Sequence, residues 1–200
     1  MIVAHARRAF TLIELLIVVA IIAILAAIAI PNMLEAQVRA KVSRARNDLR
    51  TLATAIESYM VDYQRPPYDG EPGDPHWGWA TAQAQLTTPI AYISTVMADV
   101  FQDTGMPDAT IPGHSNYMGP NRTRHTFDYS TASWENLAAD PAKTAVWLRH
   151  LGPSPYKIAS AGPDLEFDNA GSFYGLRQIY HPTNGTTSLG DIPRSSGVIW

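Results

Sequence analysis

Two places in this sequence gather residues whose chemistry goes beyond packing. The first is Glu14, the one charged residue in the apolar run from Phe10 to Ile30, which follows Arg7-Arg8-Ala9. A charged side chain at the centre of a membrane helix costs roughly 2.5 to 3.5 kcal/mol on insertion scales, less near the interface, so a chain that keeps one usually pairs it. The second is Ser160 to Asn169, SAGPDLEFDN, where Asp164, Glu166 and Asp168 with the Asn169 amide oxygen crowd a Gly- and Pro-bounded loop. Hard oxygens at that density suit calcium, which takes about six to eight such ligands. The loop is no EF-hand, because the twelfth position counted from Asp164 is Gly175 and the bidentate Glu is missing. Its acids can equally stand as solvated loop residues.

An element must hold Glu14, and the run itself supplies it. The 21 residues from Phe10 to Ile30 reach about 31 Å as a helix, the thickness of a hydrocarbon core. A secretory leader also begins with a basic segment and an apolar stretch, and Ala27-Ile28-Ala29 offers a small-x-small cut site. The apolar stretch of such a leader is about 7 to 15 residues long, shorter than this one, and it carries no acid. A spanning helix is the better reading.

The order and spacing of Arg7, Arg8, Ala9, Phe10, Thr11, Leu12, Ile13 and Glu14, continued to Pro31, closely resemble the N-terminal signature of the type IV pilin and type II secretion pseudopilin superfamily. The match extends to about Arg50. The resemblance implies a leader, residues 1–9, cut between Ala9 and Phe10 by a prepilin peptidase, with methylation of the new Phe10 amine. Ala9 departs from the Gly usual before the cut. The resemblance also implies an inner-membrane, single-pass protein with its head in the periplasm. It further implies a polymer of this chain built through the N-terminal helix, working with other pseudopilins and an assembly platform.

A physical account of that assembly can be built from the residues. Cutting after Ala9 leaves a cationic amine that can face the carboxylate of Glu14 in a neighbouring copy. In a low dielectric a lone member of such a pair is strongly unfavourable, so the pair sets register. The charge pattern pulls the other way on orientation: Arg39, Lys41, Arg44, Arg46 and Arg50 lie beyond the span, and counting basic residues puts that side in the cytoplasm. The family resemblance assigns it to the outside, and the first of these residues comes nine positions after Ile30.

Past Pro31 the pattern predicts more helix. Leu49, Leu52, Ala53, Ile56, Met60 and Tyr63 recur every three or four residues and line one face, and Pro66-Pro67 stops the run. One stem, residues 10–63, is expected, with 10–30 transmembrane and the rest amphipathic. Residues 64–200 form the head. There, Pro66 to Trp79 and Gly105 to Thr126 read as loops, with Trp77 and Trp79 as core plugs, and Thr88 to Phe101 as an apolar segment packed on the stem. Ala138 to Leu151 reads as a helix entered through Asp140-Pro141 and ended by Gly152-Pro153. Strands are expected at Tyr156 to Ser160, around Gln178 to Tyr180, and at Val198 to Trp200. The fold class is therefore α+β, a long helix on a small antiparallel sheet, type IV pilin-like.

By resemblance to the calcium loop of major pseudopilins, the ligands would be Asp164, Asp168 and Asn169, with Glu166 less central and Asp191 closing the site after the Asn184-Gly185 turn. The chain has no cysteine, so it holds its tail without a disulfide. The net charge is −3, and loss of Arg7 and Arg8 makes it −5, which argues against nucleic-acid binding. The six histidines are scattered and no hydrolase, phosphate-loop or dinucleotide motif occurs, so no enzyme is expected. Three functions remain: a type II secretion pseudopilus subunit that helps export protein, a type IV pilus subunit, and a membrane-anchored binding protein that forms no filament.

Overall fold

The computed structural model describes residues 10–68, 79–101, 127–132, 140–165, 179–181, 183 and 190–196. Its frame is α1, Leu12–Tyr63, one unbroken helix of 52 residues that continues through Pro31. Thr11 caps its start in extended geometry, and Gln64 in the left-handed region closes its end by donating its N–H to the Met60 carbonyl at 2.9 Å. The remaining elements are α2, Trp79–Ala84; β1, Asp128–Thr131; α3, Pro141–Leu151; β2, Tyr156–Ser160; and β3, Ile192–Ser195. The three strands form one antiparallel sheet in the order β1-β2-β3. This is the α+β, pilin-like architecture expected, a long N-terminal helix with a small sheet packed on its second half.

The two halves of α1 differ in what covers them. From Leu12 to Leu34 the large apolar side chains are bare, whereas Val42, Ala45, Leu49, Leu52, Ala53, Ile56 and Tyr59 are buried. Those seven recur at the helix period and meet Phe127, Tyr129, Tyr156, Ile158 and Ile192 in one core. The expected stripe held Leu49, Leu52, Ala53 and Ile56 correctly and Met60 at the margin. Tyr63 departs from it, being partly exposed and stacked on Tyr59.

Register alternates the sheet. Tyr129 pairs with Ile158 and Thr131 with Tyr156, which puts these side chains on the face turned to α1, and there the Tyr156 hydroxyl donates to Glu57 Oε1 on the stem at 3.3 Å. On the other face Lys157 Nζ lies 3.1 Å from Asp128 Oδ2, both side chains about 1% exposed. That buried pair explains why β1 escaped the sequence reading: an acid opening a strand looks like loop until its cation is placed on the neighbouring strand.

The other two expected strands meet different outcomes. Val198 to Trp200 lies outside the described residues, and the third strand is Ile192–Ser195. Pro193 supplies no ladder donor, but β3 is an edge strand, where that donor is not required. Around Gln178 to Tyr180 the described part makes a single parallel bridge, Ile179 to Asp191, and no strand. Trp79 begins α2 instead of closing a loop. Thr88 to Phe101 is irregular, with a cis Thr88–Pro89 bond. Residues 1–9, Trp77, the Gly105 to Thr126 loop and the Asn184-Gly185 turn lie outside the described residues.

α3 is placed by its caps. Asp140 Oδ1 accepts from the N–H groups of Ala142 at 3.0 Å and Lys143 at 3.1 Å, Pro141 occupies the first position, and Gly152 ends the helix at φ 63. Trp147 and Leu151 bury themselves together, with Trp147 Nε1 donating to the Ser154 carbonyl at 3.0 Å.

Candidate functional site

Glu14 stands at the third position of α1 and closes a capping box. Its Oε2 accepts from Thr11 N at 2.9 Å and from Thr11 Oγ1 at 2.7 Å, and its own N–H faces Thr11 Oγ1 at 3.3 Å. The box satisfies backbone donors that a helix start leaves orphaned. In a single copy the carboxylate is therefore already engaged, by its own chain. Phe10 is exposed beside it, and Ala9 lies outside the described residues. α1 is the one helix among the described residues that is long and apolar enough to cross a membrane, and none of the described head residues covers its apolar window.

The second region is built where β2 ends. Ala161 leads into a turn over Gly162, Pro163, Asp164 and Leu165, in which Leu165 N–H donates to the Gly162 carbonyl at 3.2 Å. Gly162 has φ +74, and a Cβ there would meet the Gly190 carbonyl oxygen at 2.4 Å. Only glycine fits that crossing. Gly190 N–H in turn donates to Asp164 Oδ2 at 2.8 Å, and Asp191, fully buried, takes the Tyr180 N–H on its carbonyl at 2.8 Å. Asp164 and Asp191 thus lie at one corner, with Gly190 between them.

Glu166, Asp168 and Asn169 lie outside the described residues. Among the described residues no group of three or more His, Asp or Glu side chains is placed to hold a metal ion. Asp164 and Asp191 alone do not fit calcium, which needs a fuller oxygen set.

The sequence reading missed Asp99. Its carboxylate is buried under the same corner and accepts from Phe101 N at 3.0 Å, Ser160 Oγ at 2.8 Å and Ala161 N at 3.0 Å. Burial pushes its pKa above the ordinary aspartate range; the three hydrogen bonds oppose that, and Asp48 nearby adds to it. The signal was available, since a lone acid inside Met97-Ala98-Asp99-Val100-Phe101 asks for partners by the same reasoning as Glu14 does.

With this geometry in place, comparison with known proteins bears on the class. Residues 4–30 match the family described as the prokaryotic N-terminal methylation motif. The "Type IV major pilin protein PilA" of Myxococcus xanthus is 57% identical over 59 residues, 30% of this chain and 27% of that protein. A "Fimbrial protein" of Pseudomonas aeruginosa is 44% identical over 81 residues, 40% of this chain and 53% of that one. The "Type II secretion system core protein G" of Pseudomonas aeruginosa is 42% identical over 56 residues, 28% of this chain and 39% of that protein. The matched stretch thus spans about a quarter to a half of these relatives' lengths. No solved structure matches. A pilin-like fold with a methylation motif at its start defines the class. Through its N-terminal region the chain is a relative of the type IV pilin and type II secretion pseudopilin superfamily.

Proposed function

We propose that the chain is a non-enzymatic structural subunit of a membrane-rooted filament. Prepilin peptidase cuts it between Ala9 and Phe10 and methylates the new amine, and the subunit then joins copies of itself through α1. One observation carries this reading: the apolar half of α1 stays bare while its other half is locked to the head, leaving a stem to be covered by lipid before assembly and by other stems afterwards. The head then stands on the periplasmic side of the inner membrane. Glu14 meets the Phe10 amine of the adjoining copy and fixes the stacking register. Glu14→Ala is expected to insert in the membrane normally but to yield little sedimentable polymer after shearing, and recovery equal to wild type would refute the role.

At finer grain the filament is a type II secretion pseudopilus, acting with other pseudopilins and the assembly platform. Its support is the acidic, cysteine-free C-terminal loop. A type IV pilus subunit is equally supported by the pilin and fimbrial relatives. Gene deletion separates the two: loss of protein export with surface fibres intact favours the pseudopilus, and loss of fibres favours the pilus. For the loop we propose one calcium ion held by Asp164, Asp168 and Asn169, with Glu166 and Asp191 supporting. What supports it is the density of oxygen donors in the sequence. Calorimetric titration of the full chain in detergent tests this, and no heat at millimolar calcium removes the ion from the account.

A further inference from the structure

The basic residues of the stem, which run against the membrane charge rule, are not spent alike. Arg39 pairs with Glu35 and Arg44 with Asp48, each one turn away on α1. Arg46 and Arg50 have no carboxylate within salt-bridge distance among the described residues, and neither has Arg194 of β3. These three arginines line one pocket between stem and sheet, with Leu49, Ile192 and Pro193 forming its apolar part. The sequence separation of four puts Arg46 and Arg50 on one face of α1. Arg194 pairs in register with Ile158, which turns it towards the same helix. The Nε atoms of Arg46 and Arg194 are buried and have no hydrogen-bond partner among the described residues. The Arg46 guanidinium also lies over the Tyr180 ring, 5.8 Å from its centre, which holds it at the pocket wall.

Three cationic side chains line one small pocket, and two of them carry buried Nε donors without a partner among the described residues, an arrangement that an entering anion would satisfy. Guanidinium forks match the paired oxygens of carboxylate and phosphate. We infer that Arg46, Arg50 and Arg194 form an oxyanion-binding pocket that accepts a single phosphate or carboxylate group.

Where the pocket sits narrows the source. Arg46 and Arg50 come 16 and 20 residues after Ile30, so they stand about 24 and 30 Å beyond the apolar span along the helix. The headgroup layer adds only about 5 to 8 Å on each side of the hydrocarbon, so a lipid phosphate does not reach them. The negative net charge of the chain makes a nucleic-acid backbone a poor occupant. Two sources remain for the same chemistry: a free phosphate-like anion, or an acidic side chain of a second copy. The pocket stands whether or not the chain polymerises.

The test is a thermal titration of the full-length protein in detergent with sodium phosphate, at constant ionic strength held with sodium chloride. Phosphate strengthens folding generally by exclusion from surfaces, an effect that does not saturate and does not depend on particular arginines. The inference predicts a saturable rise in the melting temperature of the wild type. Arg50→Gln, an exposed position that leaves the core intact, and Arg194→Gln each move half-saturation about ten-fold or more upward. Arg194→Lys, which keeps the charge but loses the fork, falls between.

Sedimentation of the same samples tells the sources apart. If saturating phosphate and Arg50→Gln both dissolve self-assemblies, the oxyanion comes from a second copy; if assemblies persist, it is a free anion. A rise that never saturates, or one identical in all variants, overturns the inference.

Discussion

The carboxylate of Asp99 joins the irregular segment after the cis proline to the end of β2, accepting from Ser160 Oγ at 2.8 Å across a sequence separation of 61. The bond is buried, and the next residue, Ala161, donates its N–H to the other oxygen of the same carboxylate at 3.0 Å. Asp99 therefore holds the base of the corner on which Asp164 and Asp191 stand. A residue of this kind acts through those it positions, and its signature is a dependence on pH.

Burial raises the Asp99 pKa in the folded state, so the folded protein holds that proton to higher pH than the unfolded chain does. Between the unfolded value, about 3.9, and the raised folded value, stability falls as pH rises. The melting temperature of wild type minus that of Asp99→Asn should therefore decrease as pH goes up through this window. A difference that is flat with pH, or grows, contradicts the assignment.

Gly162 crosses the Gly190 carbonyl so closely that a methyl group cannot be admitted without moving backbone. Gly162→Ala also forces φ +74 on a residue with a Cβ, a strain of roughly 1 to 3 kcal/mol before any clash is counted. Chemical denaturation should show a loss at least that large. Gly152→Ala also sits at positive φ, at the end of α3 and away from this crossing, so it should be the milder of the two.

Lys157 and Asp128 form a buried cross-strand pair, and removing one partner leaves the other charged and unsolvated. Lys157→Met is expected to destabilise the head by about 3 to 5 kcal/mol, while the double change Lys157→Met with Asp128→Leu recovers most of that loss. Denaturant midpoints for the two variants check it. A double variant as unstable as the single one would show that the pair contributes more than its charges.

The parts legible in the sequence were those set by local rules. The N-cap at Asp140, the stop at Gly152, the strand Tyr156–Ser160 and the stripe from Leu49 to Ile56 follow from capping chemistry and periodicity. The parts missed needed a partner distant in the chain. β1 depends on Lys157 to excuse Asp128, β3 tolerates Pro193 only because it is the edge, and Asp99 needs Ser160 and Ala161. At Glu14 the residue was legible but its present use was not, since the capping box with Thr11 forms only once the helix start is placed.

That capping box bears on how copies of the chain would stack. Glu14 is engaged by Thr11 in a single copy, so under the proposed function a cationic amine has to offer it a stronger partner for subunits to stack, and Phe10 would carry that amine only once the chain is cut before it. Intact-mass measurement of protein recovered from sheared filaments tests this most directly. The expected product is a chain lacking Met1 to Ala9 and carrying one added methyl group. Polymerised material that still retains residues 1–9, or that has lost everything through Ala29, would contradict it.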